Sequence, residues 1–234
     1  FTPSYFSKRS GFVINQLSGG GCEHMGNFPT FPVKGKLKMS PDNILNYRIN
    51  ISEEKGHAGY YEAMVQEDIK AKLTVTERTG MASYEYPADQ QYGTVIIGGG
   101  ISATPIEQAA IVITAPNKCE GYAEGGNFCG LRTPYKVYFV AEFDTDALES
   151  GTWKRNELKP NTTFAEGEYS GVYFTFDVNK KKNIQYKIGV SYVSVENARE
   201  NLKAENTGWD FLQIQNQAES KWNHYLGKIE VEGT

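Results

Sequence analysis

Apolar and polar residues alternate along much of this chain, and a period of two commits it to sheets. The run Ile69-Lys70-Ala71-Lys72-Leu73-Thr74-Val75-Thr76 puts every second side chain on one face, as a half-buried antiparallel strand requires. Ile184 to Tyr192 repeats the pattern over a longer stretch. Further strands are expected near residues 33–38, 44–51, 58–66, 82–86, 93–97, 109–115, 135–143 and 170–178, separated by Gly, Pro, Asn and Asp clusters. Roughly ten strands with short polar joints make a mainly β fold, an antiparallel β-sandwich. Its centre is expected at Tyr135 to Phe143 and Tyr173 to Phe176.

The period changes after Val195. Glu196 to Ala204 reads as a short helix with Ser194 able to cap it. From Trp209 the apolar residues Phe211, Ile214, Ala218, Trp222 and Tyr225 recur every three or four positions, one face of a second helix. Thr207 with Asp210 resembles a capping box. Lys228 to Glu232 alternates again, as a strand would. The chain therefore divides into a β-sandwich over 1–195 and a helical connector with a final strand over 196–234. Trp209 and Trp222 cover either this sandwich or a neighbour.

Composition removes several function classes. A formal net charge of −4 lacks the basic face that nucleic acid or an anionic membrane requires. No apolar run approaches the ~20 residues of a membrane span, so no transmembrane helix is expected. The opening at Phe1, without methionine or leader pattern, is expected of a fragment cut from something longer. Cys22, Cys119 and Cys129 allow at most one disulfide, Cys119 and Cys129 being nearest in sequence, and no CxxC spacing suggests a metal site. The histidines are His24, His57 and His224, and no serine sits in a nucleophile-elbow context.

One segment does not suit an ordinary strand or helix: Ser18-Gly19-Gly20-Gly21-Cys22-Glu23-His24-Met25-Gly26-Asn27. Its glycines permit φ > 0 and close backbone approach, and around them stand a thiol, a carboxylate, an imidazole and an amide. Such a loop on a stiff sandwich can aim hydrogen bonds at a polar ligand. The candidate contacts are Gly21, Cys22, Glu23, His24 and Asn27. His24 serves equally as a satisfied loop histidine, and a cysteine such as Cys22 is more often a small buried packing residue than a ligand. Phe128 and Cys129, beside Gly130, form a second candidate wall, with burial in the sandwich the commoner fate of such a Phe.

With these pieces in place the chain resembles the N-terminal β-domain of glycoside hydrolase family 92, the calcium-dependent exo-acting α-mannosidases. Five stretches carry the likeness in order: Gly11-Phe12 through Cys22; Gly59-Tyr60-Tyr61 leading into Ile69 to Met81; Gly126 to Gly130 followed by Tyr135 to Phe143; Gly189 to Ala198; and Trp209-Asp210-Phe211 with Trp222 and the segment ending at Gly233. Ile14 and Gln16 stand where many members carry histidines, which implies a subgroup with its own preference.

The resemblance implies a galactose-mutarotase-like supersandwich that closes one side of a pocket. The general acid, general base and calcium would lie in a six-hairpin helical domain further along the same polypeptide. It further implies a mannose-containing glycan as partner, α-1,2 preference, bacterial N-glycan degradation, and a location outside the cytoplasm. Inverting hydrolysis needs two carboxyls roughly 6.5–9.5 Å apart across the sugar. Glu23, Glu142 and Asp144 are acids near loops or strand ends, yet no such pair is legible among the 28 acidic residues. Hence no catalytic residue and no bound cofactor or metal are expected in this chain, and it is expected to be inactive alone. The competing readings are a stand-alone carbohydrate-binding module and a purely structural adhesin-like sandwich.

Overall fold

The computed structural model describes residues 11–16, 25–42, 51–127 and 129–229. Two antiparallel sheets face each other. The smaller runs, in spatial order, β1 (Thr30–Lys34), β6 (Tyr92–Gly98), β13 (Ser170–Asp177), β10 (Glu149–Lys154) and β11 (Glu157–Pro160). The larger runs β12 (Phe164–Glu166), β7 (Ile106–Ala115), β8 (Lys118–Gly125), β9 (Tyr135–Phe143), β14 (Asn183–Ser191), β5 (Thr79–Glu85), β4 (Ile69–Val75), β3 (Tyr60–Val65) and β2 (Ile51–His57). This is the β-sandwich that the alternation predicts, followed by helices α1 (Val195–Glu205) and α2 (Phe211–Leu226).

Aromatic residues fill the space between the sheets. Phe143 on β9 lies 4.9 Å and 5.0 Å, centroid to centroid, from Phe174 and Phe176 on β13, and 5.3 Å from Tyr186 on β14. Trp153, Phe139 and Tyr84 are sealed in the same core. Such rings bury large apolar areas and gain about 0.5–1.5 kcal/mol per pair beyond that. Gly171 on β13 makes room for them: a Cβ there would stand 2.3 Å from both the Trp153 ring and the Ile97 carbonyl oxygen.

The pleat gives the larger sheet a second, outward packing surface. On β9, Val137, Phe139, Ala141 and Phe143 point into the sandwich, while Val140 joins Ala198 and Leu202 of α1. On β14, Ile184, Tyr186 and Ile188 point inward, and Gly189 lets α1 come close, since a Cβ there would meet Ala198 O at 2.6 Å. Lys187, also outward, is buried beneath the α1–α2 corner. Its ammonium donates to Asn206 O at 3.0 Å and lies 4.4 Å from the Trp209 ring centroid. Trp209 is thus half-buried on this domain's own lysine.

Several boundaries differ from expectation. β2, β8, β10, β11 and β12 are missed by the sequence reading, the strand expected at 44–51 lying outside the described residues but for Ile51; β10 to β12 are short pieces among polar residues. The cap of α2 is Asp210, whose Oδ1 accepts from Gln213 N at 3.0 Å, and not a box begun at Thr207. Ser194 caps α1 as expected, accepting from Asn197 N at 3.1 Å. The final strand expected at Lys228 to Glu232 is not begun: Lys228 and Ile229 continue from α2 as turn and bend, and 230–234 lie outside the described residues. Of the apolar face of α2, Ile214 and Ala218 are buried, whereas Trp222 and Tyr225 remain about half exposed.

Arg78, between β4 and β5, pairs with Glu205 at the end of α1. Glu205 Oε2 also accepts from Thr76 Oγ1 at 2.6 Å and from Arg78 N at 2.9 Å. Burial pushes this carboxyl up, but the hydrogen bonds from Thr76 and Arg78 outweigh it and hold it below its ordinary value.

Two stability predictions follow from this packing. Gly171→Ala is expected to lower the urea-unfolding free energy by about 2 kcal/mol through overpacking, while Gly208→Ala, with open space around it, changes it by less than about 0.5 kcal/mol. Glu205→Ala is expected to cost about 2 kcal/mol at neutral pH. A depressed native pKa stabilises above the unfolded value of 4.5 and loses that contribution as pH falls through the native value. The gap between wild type and variant in thermal unfolding should therefore close with acidification below that pH.

Candidate functional site

Residues 11–16 and 25–30 run antiparallel beside β1. Phe12 and Thr30 exchange two backbone hydrogen bonds of 2.9 Å, Gly26 N donates to Asn15 O at 2.9 Å, and Gln16 bridges to Met25. Residues 17–24 between them, and with them Gly21, Cys22, Glu23 and His24, lie outside the described residues. What is described is the pair of segments on either side.

The second segment is strained. Met25 (φ 61°), Gly26 (φ 71°) and Phe28 (φ 56°) occupy the left-handed region, which costs a non-glycine residue about 1–2 kcal/mol. Surrounding contacts fix it there. Phe28 is sealed, with its ring 4.2 Å from that of Phe139, and Met25 O accepts from Ala103 N at 2.8 Å. Thr30 Oγ1 stands 3.2 Å from the buried hydroxyl of Tyr186. The core of the sandwich therefore dictates the backbone of this segment.

A polar network joins the two segments. Asn27 is fully buried, beneath the segment and not at its surface. Its N–H donates to Asn15 Oδ1 at 2.8 Å, and its Oδ1 accepts from Asn15 Nδ2 at 3.1 Å and from Tyr135 Oη at 2.7 Å. Asn15 Nδ2 also lies 3.4 Å from Tyr192 Oη, which in turn approaches Met25 Sδ at 3.6 Å. Burial raises the Tyr135 phenol above its usual value, opposed chiefly by its hydrogen bond to Asn27, so it serves as a neutral donor. Asn27 Nδ2, Gln16 Oε1 and Thr104 Oγ1 are buried with no partner among the described residues. Among the described residues each lacks the partner that a buried polar group normally has.

The second candidate wall is reached from the same side. β8 ends at Gly125, and the connection to Tyr135 passes through Cys129, which is disulfide-bonded and has φ 51°. Phe128 lies outside the described residues. Cys119 is a free thiol sealed on β8 and faces the core, so the two cysteines nearest in sequence are not joined. Because Tyr135 closes this connection and donates to Asn27, the structure links the two sequence-nominated stretches through one hydrogen bond. Tyr135, Tyr192 and Asn15 were not nominated. Nothing in their local pattern marks them, since their partners lie up to 177 positions away.

No acid–base pair is assembled from the described carboxyls singled out earlier. Glu142 pairs with Lys118 at 2.9 Å, and Asp144 with Lys181 at 2.7 Å. Glu62 is held below the ordinary carboxylate range by a hydrogen bond from Tyr60 and by Lys70, the opposite of what a general acid needs. Among the described residues no three His, Cys, Asp or Glu side chains are grouped as a metal site would group them. What the site offers is a rigid, polar, partly unsatisfied platform.

Comparison with known proteins places this platform. The family model described as glycosyl hydrolase family 92 N-terminal domain matches residues 4–191, and the family 92 catalytic-domain model matches residues 197–234. A protein described as an uncharacterized secreted glycosidase, from Arthroderma benhamiae, is 25% identical over 251 residues, covering 96% of this chain and 32% of its own length. A solved family 92 inverting mannosidase from Bacteroides thetaiotaomicron is 25% identical, with a TM-score of 0.76 over 88% of this chain and 27% of its own. Another α-mannosidase of that family and organism has a TM-score of 0.83 at 24% identity, over 96% of this chain and 32% of its own, and shows the shared fold. This chain spans about a third of the length of these relatives.

Removing the hub of the network should be costly. Asn27→Ala is expected to destabilise by about 2–3 kcal/mol, because Tyr135 Oη and Asn15 Nδ2 both lose their acceptor in a buried site. Hydrogen exchange should quicken at Gly26 and Thr30, whose amides hold the strained segment, while Phe174 and its strand stay protected.

Proposed function

The chain belongs to glycosyl hydrolase family 92, and on that footing we propose that it is the accessory β-domain of an α-mannosidase that removes terminal α-linked mannose from glycans with inversion. The sandwich supplies one wall of the sugar pocket; the acid, the base and the calcium belong to the catalytic domain. Residues 1–195 form the wall-bearing domain, and 196–234 lead into the catalytic domain. The single observation that carries this reading is continuity. The family match passes from the N-terminal domain into the start of the catalytic one across α1 and α2, with the sandwich intact before them.

The physical state of the chain supports it. Its described carboxyls singled out as candidates are neutralised in ion pairs, and a hydrolytic pair needs one carboxyl held protonated near neutrality. α2 buries only Ile214 and Ala218, leaving Leu212, Trp222, Tyr225 and Leu226 exposed. A helix with so apolar an outer surface packs against more protein, and we assign that neighbour as the catalytic domain of the same polypeptide. The glycan is an α-1,2-mannoside of the N-glycan type. The enzyme works outside the cytoplasm, in line with the secreted relative and with the absence, among the described residues, of a helix able to cross a membrane.

The test is a paired assay. The full-length enzyme should cleave α-1,2-mannobiose in a calcium-dependent reaction, with β-mannose as the first product in a proton NMR time course, while the 234-residue chain alone shows no turnover. Turnover by the isolated chain, or α-mannose as first product, would overturn the division of labour or the stereochemistry. Binding of mannobiose by the isolated chain tighter than about 10 μM would favour a self-sufficient carbohydrate-binding module.

A further inference from the structure

We infer that Tyr192 is a sugar-contact residue of this pocket, presenting its ring as the apolar platform beneath the glycan; the inference rests on the accessory-domain reading above. An exposed aromatic residue is by itself ordinary, so the argument depends on how this one is held. Tyr192 follows the last residue of β14 and is 53% exposed. Its hydroxyl accepts from Asn15 Nδ2 at 3.4 Å and donates toward Met25 Sδ at 3.6 Å. The ring is thereby tethered at its outer edge to Asn15 and Met25, and among the described residues no other aromatic ring packs on it.

The backbone on either side is pinned as well. Ser191 Oγ accepts from Val193 N at 2.9 Å and donates to Asn197 Oδ1 at 2.8 Å, while Ser194 caps α1. Tyr192 therefore has little freedom to fold back onto the sheet. Tied at both ends and open on its face, it keeps apolar surface in water at a fixed place. That place adjoins the segment in which Met25 and Phe28 are forced into the left-handed region, and the half-buried Asn15 amide stands beside it. Strain, a polar pair and a fixed aromatic face converge there. A pyranose has the matching chemistry: hydroxyls for the Asn15 amide and the Tyr192 phenol and a flat set of C–H bonds for the ring. The aromatic residues first nominated for this role did not include Tyr192, which the linear pattern assigns to the end of a strand.

The experiment uses the full-length enzyme with α-1,2-mannobiose, comparing wild type, Tyr192→Ala, Tyr192→Phe and Val193→Ala. Tyr192→Ala is expected to raise KM about tenfold with kcat within twofold of wild type, the loss of one ring–ligand contact. Tyr192→Phe keeps the platform and should leave KM within about twofold; Val193→Ala, exposed beside it, should change neither constant. The inference is overturned if Tyr192→Ala keeps wild-type KM, if Tyr192→Phe matches Tyr192→Ala, or if Tyr192→Ala lowers kcat and melting temperature together without moving KM. An active wild type with an unchanged alanine variant sinks this inference alone. A wild type that cleaves no mannoside sinks the accessory-domain reading, and this inference with it.

Discussion

The pleat of β9 and β14 governs both what this domain buries and what it presents. Inward residues of the two strands meet β13 through the Phe143, Phe174, Phe176 and Tyr186 cluster, which locks the two sheets together. Outward residues, Val140 and Gly189, accept α1 on the opposite face. Because side chains alternate strictly, a one-residue slip in either strand would exchange these faces and destroy both layers at once. α1 is consequently fixed to the core through a single thickness of sheet, and the polypeptide leaving it starts from a defined position.

The same core reaches the other end of the sandwich through Phe28. Its ring is sealed against Phe139, yet its backbone and that of Met25 are in a conformation that L-residues avoid. Burial of the Phe28 ring, worth about 1.5–3 kcal/mol, offsets the cost at Phe28 itself. The payload is geometric. Asn15, Asn27 and Tyr135 are cross-linked by hydrogen bonds on this stiff base. The disulfide at Cys129 tightens the neighbouring connection in the same sense.

How much of this was legible varies by the range of the interactions. The long strands β4, β9, β13 and β14 and both helices could be read, because period two or period 3.6 persists over enough residues to outweigh local noise. The strands β10, β11 and β12 could not, since three to six residues of mixed polarity carry no period. The cap of α2 was misplaced by three residues because Thr207 and Asp210 are both competent caps, and the choice between them depends on where Trp209 settles over Lys187. At the site, the glycine-rich segment announced itself by composition, whereas Tyr192 and Tyr135 are ordinary strand-end tyrosines until a third segment arrives beside them.

Sequence alone determined the fold class, the order of sheets before helices and the family, for these rest on local periodicity and on short motifs kept in linear order. Tertiary structure alone decided that Asn27 is an internal strut, that Cys119 is a sealed thiol while Cys129 is cross-linked, and that Tyr192 meets Asn15 and Met25. Those facts depend on which strands become neighbours. Neighbourhood in a sandwich is set by burying many apolar faces at once, and no stretch of a few residues contains that information.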